Sequence, residues 1–309
     1  MAYKRRRKKK HPRLTFVITL IVAILVYLGY LFATGEWLNV VDDLSNLFGT
    51  QEPAAPVEGQ VEFHFIDVGQ GDAALIRTEA GNVLIDAGTN DAEDELVAYL
   101  KAEGITELAY AVFTHPHEDH IGGADAVLEY CKVENVILPE VTATTVVYNR
   151  MMDAIDAEGA TVIIAVPEAT YTVGDLKLTI LGPIGSNYKD MNNDSVVLRA
   201  DFGESSVLYT GDAEDISEKE MVEKFRLSGK LDCDLLKVGH HGSENSSTDI
   251  FLDAVTPELA VISCGEGNKY GHPTQEALAR LDARNVTYWR TDLLGSIVII
   301  SDGETLTKE

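Results

Sequence analysis

Histidines gather where three apolar segments end, and this pattern restricts the fold more than any other feature of the chain. Of the eight histidines, six follow the segments 107–113, 234–238 and 259–264, which are predicted to be strands. These six are His115, His117, His120, His240, His241 and His272. A core histidine would be expected singly within a periodic face, whereas loops at strand ends present functional groups from a rigid scaffold. The pattern therefore predicts strands whose ends carry a functional site rich in histidine.

The segment THPHEDHIGG has the spacing of metal ligands. Pro116 favours extended backbone at the residue before it, and in extended backbone the side chains of His115 and His117 point the same way. Both imidazoles can therefore reach one ion. Asp119 and His120 follow where the chain turns into the next predicted helix, and they offer an oxygen and a nitrogen to a second ion. Imidazole and carboxylate ligands suit zinc, and iron and manganese also accept them.

Apolar runs separated by turn signals indicate the fold class. The first three runs, at 61–68, 73–78 and 82–87, follow one another through short turns and predict a β-meander. Later strands alternate with segments of helical periodicity, and strands again open the second half of the chain. We therefore predict a single α/β or α+β domain over residues 61–309, with two sheets packed together and helices covering them on the outside.

These motifs carry a resemblance to a known family. HPHEDH fits the H-x-H-x-D-H signature of the metallo-β-lactamase fold, and the resemblance extends over residues 61–309. The segments HFIDVGQGDAALI, LYTGDA, LLKVGHHGSENSS and NKYGHP resemble the extracellular hydrolase domain of ComEC-type DNA-uptake competence proteins. Teichoic-acid phosphorylcholine esterases are similar in the same motifs. The resemblance implies an αββα sandwich with a site for two divalent metal ions, zinc or manganese, at the sheet edge.

The resemblance also implies roles for individual residues. His115 and His117 resemble ligands of the first ion, whereas Asp119 and His120 resemble ligands of the second. Asp212 in LYTGDA resembles the carboxylate that bridges the two ions.

One further histidine is implied for the second ion, and the sequence offers two. His240 is preferred, and His241 is the less favoured alternative. Asp86 in LIDAG matches the family motif that orients a ligand histidine, and such a carboxylate fixes the tautomer of the imidazole and raises its basicity.

The sequence departs from most of the family at one ligand position. Where most relatives place a third histidine for the first ion, this chain has Asn193, Asp194 and Ser195, and ComEC-type proteins similarly have Asn or Ser there. We expect Asn193 and Ser195 to support the ligands. Asp194 either supplies an oxygen, which would favour a hard ion such as manganese, or serves as a cap or turn residue. Both interpretations of Asp194 stay open.

Asp119, His272 and Lys237 are the candidate catalytic residues. Two ions would activate a water molecule and hold a phosphoryl oxygen, and Asp119 is one of the groups expected to hold them. The leaving oxygen still needs a proton or a positive charge, for which His272 and the second histidine of the 240–241 pair are candidates. Lys237 and Lys269 are near enough in sequence to hold phosphate, although a solvated surface lysine is the favoured interpretation of either one alone.

The GQGD segment at 69–72 is predicted to be a tight hairpin turn. It lacks the pattern of a phosphate-binding loop, and no helix is predicted to follow it. For Asp67, just before it, and Asp72, its last residue, the family resemblance described above implies positions near the metals, but the chemistry of turns explains both adequately.

The N-terminal segment predicts membrane attachment. Residues 1–13 are rich in Lys and Arg, and residues 14–33 form an uncharged, mostly apolar run close to the roughly 20 residues that cross a bilayer as a helix. Basic residues before the run place the N-terminus in the cytoplasm and the rest of the chain outside the cell. A linker is predicted at 34–60. A cleaved secretory signal is the alternative, but the apolar run exceeds the usual length of such signals.

The charge distribution restricts the partners. Eight of the 25 basic residues lie within the first 13 positions, and 50 acidic residues lie after them. The part of the chain after residue 13 is therefore strongly acidic and repels polyanions at long range. This argues against nucleic-acid binding by overall charge.

We therefore predict a single-pass, membrane-anchored extracellular hydrolase that cleaves phosphodiesters, with single-stranded DNA as the first candidate substrate. A phosphodiester or phosphocholine substituent of the cell envelope is the alternative, and a metal-binding envelope protein without catalysis is an alternative of another class. Any role in DNA uptake would need separate competence or envelope proteins, because nothing here resembles a multi-helix channel.

Overall fold

A computed structural model describes residues 56–309 of the chain. The predicted cytoplasmic segment 1–13, the predicted anchor 14–33 and most of the linker 34–60 lie outside the described residues and stay predictions. Within the described part of the chain, no helix is both long enough and apolar enough to cross a membrane.

Between residues 56 and 309 the chain forms two sheets with helices between their strands. The strands are Val61–Phe65 (β1), Ala74–Thr78 (β2), Gly81–Ile85 (β3), Glu107–Val112 (β4), Lys132–Leu138 (β5), Thr161–Ile164 (β6), Thr170–Val173 (β7), Leu176–Gly182 (β8), Val197–Phe202 (β9), Ser205–Tyr209 (β10), Leu235–Lys237 (β11), Leu259–Ile262 (β12), Thr287–Arg290 (β13), Ile297–Ser301 (β14) and Leu306–Lys308 (β15). The α-helices are Glu93–Ala102 (α1), Glu118–Ile121 (α2), Ala124–Tyr130 (α3), Val146–Glu158 (α4), Asp215–Phe225 (α5), Asp249–Val255 (α6), Gln275–Ala283 (α7) and Thr291–Leu294 (α8).

Each sheet is antiparallel on one side and parallel on the other. The strand order is β15-β14-β1-β2-β3-β4-β5-β6 in the first sheet and β13-β12-β11-β10-β9-β8-β7 in the second. Pairing is parallel from β3 to β6 and from β10 to β13. Parallel neighbours end at the same edge of a sheet, and an antiparallel neighbour begins there. One edge of the sandwich therefore brings together the start of β9 and the segments that follow β3, β4, β10, β11 and β12.

Three apolar clusters hold the layers together. The first lies between the sheets, where the rings of Phe65 and Tyr209 stack with centroids 5.8 Å apart. The second packs α1, α3 and α4 on the outer face of the first sheet through residues such as Leu96 and Met151. The third packs α5, α6 and α7 on the second sheet, with Phe251 buried in it. This order of helix, sheet, sheet and helix confirms the predicted αββα sandwich.

The connection between β1 and β2 is not the tight turn that the sequence predicted. The two strands pair as an antiparallel hairpin, but residues 66–73 connect them. A Cβ atom at Gly71 would lie 2.6 Å from the carbonyl oxygen of Asp119, so the close approach of the two chains requires glycine. The backbone N–H of Asp72 donates to the same oxygen over 3.0 Å. The GQGD segment therefore packs on the HPHEDH segment and brings Asp72 into the site.

Candidate metal centre

The ends of strands from both sheets line one open cavity of about 600 Å³. Side chains reach it from the segments that follow β4, β10, β11 and β12. His115 and His120 are buried behind its wall. The lining residues are Gln70, Thr89, His117, Glu118, Asp119, Asn192, Asp212, His240, His241, Asn268, Lys269, Tyr270 and His272.

His115 and His117 meet, as their alternation about Pro116 predicts. His115 Nε2 lies 2.9 Å from His117 Nδ1, and the ring centroids are 4.6 Å apart. His117 has extended backbone, and α2 begins at the next residue. On its other side, His115 Nδ1 lies 3.2 Å from Thr114 Oγ1 and 3.3 Å from Ser195 Oγ. The two imidazoles are therefore positioned to share one ion.

His120 is held between two carboxylates. Its Nδ1–H donates to Asp86 Oδ2 over 2.8 Å, and its Nε2 lies 3.1 Å from Asp212 Oδ1. Asp86 is held in turn by the backbone N–H of Thr114 at 2.7 Å and by the Thr114 hydroxyl at 2.8 Å. The structure thus gives Asp86 the orienting position that the resemblance implied, because its carboxylate leaves Nε2 of His120 free to face Asp212.

Four groups come close enough together to hold a cation. Asp119, His120, Asp212 and His241 each offer one ligand atom, and these atoms lie within 4.8 Å of one another. Within the described residues, His120 Nε2, Asp212 Oδ1 and His241 Nε2 are buried without a hydrogen-bond partner. Buried polar atoms in proteins are nearly always paired, so these three atoms fit a divalent ion that would take their lone pairs.

Opposite charges control the protonation of this cluster. Burial acts to raise the pKa of Asp212 and to lower that of His120. The attraction between the two charges is stronger than this effect. The pKa of Asp212 therefore lies well below its usual range and that of His120 well above it. Burial also lowers the pKa of His241, which Asp212 and Asp72 nevertheless raise to about 10. Burial works against ionisation of Asp119, yet its contact with His241, followed by the charge of His120, holds its pKa low. Without a metal, the cluster therefore consists of carboxylates and imidazolium ions at neutral pH.

His241, and not the preferred His240, occupies the place beside Asp119. His241 Nε2 lies 3.4 Å from Asp119 Oδ2, and its Nδ1 lies 3.0 Å from the carbonyl oxygen of Ser263. His240 is not one of the four groups, and its Nδ1 lies 3.1 Å from Glu214 Oε1 while its Nε2 lies 3.5 Å from Asp212 Oδ2. The geometry thus favours His241 over His240 for the second ion, because the backbone turns the two side chains in different directions, and the assignment of the ligand stays a prediction.

The segment of Asn193, Asp194 and Ser195 lies only partly at the site. Ser195 Oγ accepts from the backbone N–H of Asp212 at 3.1 Å, so Ser195 lies where it can hold the Asp212 segment in place. Asn193 faces α5 instead, where its Oδ1 accepts from the N–H of Ser217 at 3.0 Å. Asp194 is buried at the end of a 3₁₀ turn, where burial raises its pKa, and it lies outside the cavity lining. Asp194 Oδ2 is buried without a hydrogen-bond partner among the described residues, so the interpretations of Asp194 as a turn residue and as an oxygen ligand both stay predictions.

His272 lines the cavity as predicted, on the side of the tandem histidines. Its ring centroid lies 5.4 Å from that of His240 and 6.4 Å from that of His241. Burial, followed by the charges of these two histidines, lowers the pKa of His272 to about 4. His272 is therefore neutral at pH 7.

Lys237 is not at the cavity, which corrects its assignment as a catalytic residue. The residue is 3% exposed, and its Nζ donates to Asp72 Oδ2 and, over 3.0 Å, to the carbonyl oxygen of Val238. Asp72 also lies 3.2 Å from His241 Nδ1. Lys237 therefore acts beneath the site, where its charge keeps Asp72 ionised.

Replacement of Lys237 should destabilise the fold. We expect Lys237→Met to lower the free energy of unfolding by about 3–5 kcal/mol, because it leaves Asp72 buried without its partner charge. Urea unfolding of the purified protein measures the change. Lys269→Met, at the exposed mouth of the cavity, is the matched control and should change the free energy by less than about 0.5 kcal/mol. Equal stability of Lys237→Met and the wild type would contradict the buried pair.

Three residues of the site carried no recognisable signal in the sequence. Asn192, Glu214 and Ser263 were not singled out, yet Asn192 lines the cavity and the other two contact the tandem histidines. In the sequence, the chemistry of turns explains Asp72 adequately. Asp72 lies two residues before β2 and next to Gly71, which contacts Asp119, and this arrangement brings its carboxylate to the site.

Comparison with known proteins agrees with the motifs. The family model described as the metallo-beta-lactamase superfamily matches residues 66–266. ComE operon protein 3 of Bacillus subtilis is 30% identical over 310 residues, covering 93% of this chain and 39% of that protein. Competence protein ComA of Neisseria gonorrhoeae is 34% identical over 251 residues, covering 81% of this chain and 34% of that protein. The chain thus spans less than two fifths of the length of these curated relatives.

Solved structures share the fold. The metallo-beta-lactamase fold protein YhfI from Bacillus subtilis superposes with a TM-score of 0.54 at 13% identity, covering 78% of this chain and 99% of that chain. At this identity the likeness concerns the fold alone.

Proposed function

This chain belongs to the metallo-beta-lactamase superfamily, and from that premise we propose that it is a metal-dependent phosphodiesterase. The superfamily fold typically carries metal-dependent hydrolases, and the cluster of Asp119, His120, Asp212 and His241 at an open cavity is the observation that carries the proposal. As part of the same proposal, the apolar run 14–33 anchors the chain in the cell membrane and the hydrolase domain works outside the cell.

The protein's own groups prepare the site for two ions, zinc or manganese. Bound there, divalent ions would supply Lewis-acid activation of a water molecule and of a phosphoryl oxygen. Asp86 and the carbonyl oxygen of Ser263 accept from Nδ1–H of His120 and His241, so that Nε2 of each imidazole presents its lone pair. Asp212 reaches both sides of the site. These groups need little rearrangement to hold ions, which is the requirement for fixed charge at a reacting centre.

His272 is proposed to act on the leaving oxygen. Because its pKa is about 4, it is neutral at pH 7 and offers an N–H hydrogen bond rather than the proton of an imidazolium ion. The ring stacks on Tyr270 with centroids 5.8 Å apart, which holds it at the cavity wall.

Single-stranded DNA is the first candidate substrate. One curated relative is named a competence protein, and another is named a protein of the ComE operon. At the mouth of the cavity, Tyr270 is 57% exposed, and Lys269 Nζ lies 5.0 Å from the centroid of its ring. An exposed aromatic ring next to a cation can stack on a base while the cation contacts a phosphate. A role in DNA uptake would require separate competence or envelope proteins as partners.

A second candidate is a cell-envelope phosphodiester with a cationic substituent such as choline. A neighbouring cavity of about 580 Å³ shares Gln70, Thr89 and Glu118 with the first. Its lining includes five carboxylates, from Asp67, Asp91, Glu95, Glu118 and Glu266. These charges repel a long polyanion and attract a cation.

One set of assays separates these functions. The purified protein is stripped of metal and supplied with Zn²⁺ or Mn²⁺, then given single-stranded DNA, a bis-nitrophenyl phosphodiester and a nitrophenyl phosphocholine ester. Cleavage that is lost in His117→Ala and Asp119→Ala supports the proposal. Phosphocholine release without DNA cleavage selects the second candidate, and metal binding without any turnover would select the non-catalytic metal-binding protein.

Tyr270 should contribute to DNA binding through stacking. We expect Tyr270→Ala to weaken binding of a single-stranded oligonucleotide by about 1–3 kcal/mol, with Tyr270→Phe close to the wild type. Fluorescence anisotropy in the presence of the metal measures both. An abasic oligonucleotide of equal length is the control, since it offers phosphates without bases. Equal losses on the two oligonucleotides would show that Tyr270 does not stack on a base.

A further inference from the structure

His115 and His117 offer two imidazoles to the first ion of the proposed metal centre, and we propose that His240 supplies the third. On this assignment, which rests on the proposed function, the consecutive histidines serve one ion each. His241 belongs to the group of Asp119 and His120, and His240 joins His115 and His117.

Asp212 divides the imidazoles into two pairs. Its Oδ1 faces His120 Nε2 at 3.1 Å and His241 Nε2 at 3.7 Å. Its Oδ2 faces His115 Nε2 at 3.9 Å and His240 Nε2 at 3.5 Å. The bridging carboxylate thus has one oxygen for each pair, and His240 stands with the pair that holds His115.

His240 is oriented in the same way as the other ligand histidines. Metal-binding histidines almost always donate their second ring N–H to a carboxylate or a carbonyl oxygen. Asp86 accepts from His120, the Ser263 carbonyl oxygen accepts from His241, and Glu214 Oε1 accepts from Nδ1–H of His240 over 3.1 Å. Asn192 holds that same Glu214 oxygen, its Nδ2 donating over 3.3 Å. His240 therefore presents Nε2 to the site, as a ligand would.

The backbone of the GHHG turn makes the division between the two histidines possible. His240 and His241 both have left-handed conformations, with φ of 45° and 53°. In a strand, successive side chains point to opposite faces of the sheet. In a left-handed turn the angle between successive side chains is smaller, so both histidines can reach the same cavity from different directions. The conformation is unfavourable for residues with a Cβ atom and persists mainly at functional sites. A Cβ atom on the flanking Gly242 would lie 2.5 Å from Pro273 Cβ, so the chain is held tightly there.

The test measures metal binding directly in the full chain. Titration calorimetry and elemental analysis with Mn²⁺ should find two ions in the wild type, and electron paramagnetic resonance should show them magnetically coupled. We expect His240→Ala to lose one ion, with at least a 100-fold fall in affinity at that site, and to show the six-line signal of isolated Mn²⁺. Glu214→Gln should weaken the same site by about 10–100-fold through the orientation of His240. His272→Ala, in the same cavity, is the matched control and should keep both ions.

Several results would overturn the assignment. His240 would be excluded as a ligand if His240→Ala still bound two ions with unchanged affinity. It would also be excluded if the wild type bound a single ion and His240→Ala bound that ion with the same affinity. Wild-type affinity in Glu214→Gln would exclude the orienting role, and this variant keeps the question answerable if His240→Ala fails to fold. A wild type that binds two coupled ions yet cleaves no phosphodiester would end the proposed function and leave the assignment of His240 intact.

Discussion

Asp212→Asn is expected to reduce kcat/KM for phosphodiester cleavage by more than about 100-fold. Replacing a residue that only supports a metal ligand typically costs about 10–100-fold, and Asp212 is proposed to be a ligand itself. Asp212 contacts both pairs of imidazoles, and its two oxygens lie 3.1 Å from His120 Nε2 and 3.5 Å from His240 Nε2. Asparagine keeps the shape but replaces one oxygen by an N–H₂ donor and removes the charge. Both ions would thus lose a ligand at once, whereas substitution of any single histidine affects one.

Steady-state kinetics with bound metal measured in parallel provides the check. Asp153→Asn, on the exposed face of α4, removes the same charge far from the metal-binding groups and serves as the matched control. We expect Asp153→Asn to retain wild-type kcat/KM and two ions. Activity within tenfold of the wild type in Asp212→Asn would mean that this carboxylate does not bridge the ions.

The HPHEDH segment could be predicted because its geometry is local. His115 and His117 need only an extended backbone to meet, and Asp119 and His120 need only the start of a helix. The fold class was predictable for the same reason, since run length and periodicity are properties of short segments. Strand order is different. β1 pairs with β14, where Val61 lies opposite Ser301, and no local pattern indicates a partner so far along the chain.

The roles of the tandem histidines could not be predicted. The direction of each side chain depends on two left-handed residues and on acceptors from other elements, Glu214 before α5 and Ser263 after β12. Spacing contains no information about either. In the same way, Lys237 looked like a lysine at a loop, but its burial depends on Asp72, which lies 165 residues away.

The acidic composition gains a more specific meaning from the structure. The chain carries a formal net charge of −25, and four aspartates, Asp72, Asp86, Asp119 and Asp212, crowd around the imidazoles of the site. Protonated histidines, Lys237 and divalent ions can each compensate the negative charge of these aspartates. Since Lys237 is committed to Asp72, protons and metal ions compete for the remaining carboxylates and imidazoles.

That competition predicts a large effect of metal removal on stability. An ion that binds the folded state at 100 to 1,000 times its Kd stabilises by about 2.7–4.1 kcal/mol, and each kcal/mol shifts the Tm of a domain of this size by about 2–4 °C. Chelation is therefore expected to lower the Tm by roughly 5–15 °C. Thermal unfolding of the metal-loaded and chelated protein measures the difference. Asp212→Asn should show little shift, whereas an equal shift in the variant would place the stabilising ion elsewhere on the acidic surface.

The size of that shift should grow with pH. The folded protein without metal raises the pKa of His241 to about 10 and that of His120 well above its usual range, despite the opposing effect of burial. The stability contributed by these protons is complete below the unfolded pKa of about 6.5 and is lost as the pH rises towards 10. Metal binding has to displace the same protons, so its affinity rises over the same window. Mn²⁺ should therefore raise the Tm more at pH 8 than at pH 6.5, and a shift that is equal at both values would mean that the ion does not bind to His120 and His241.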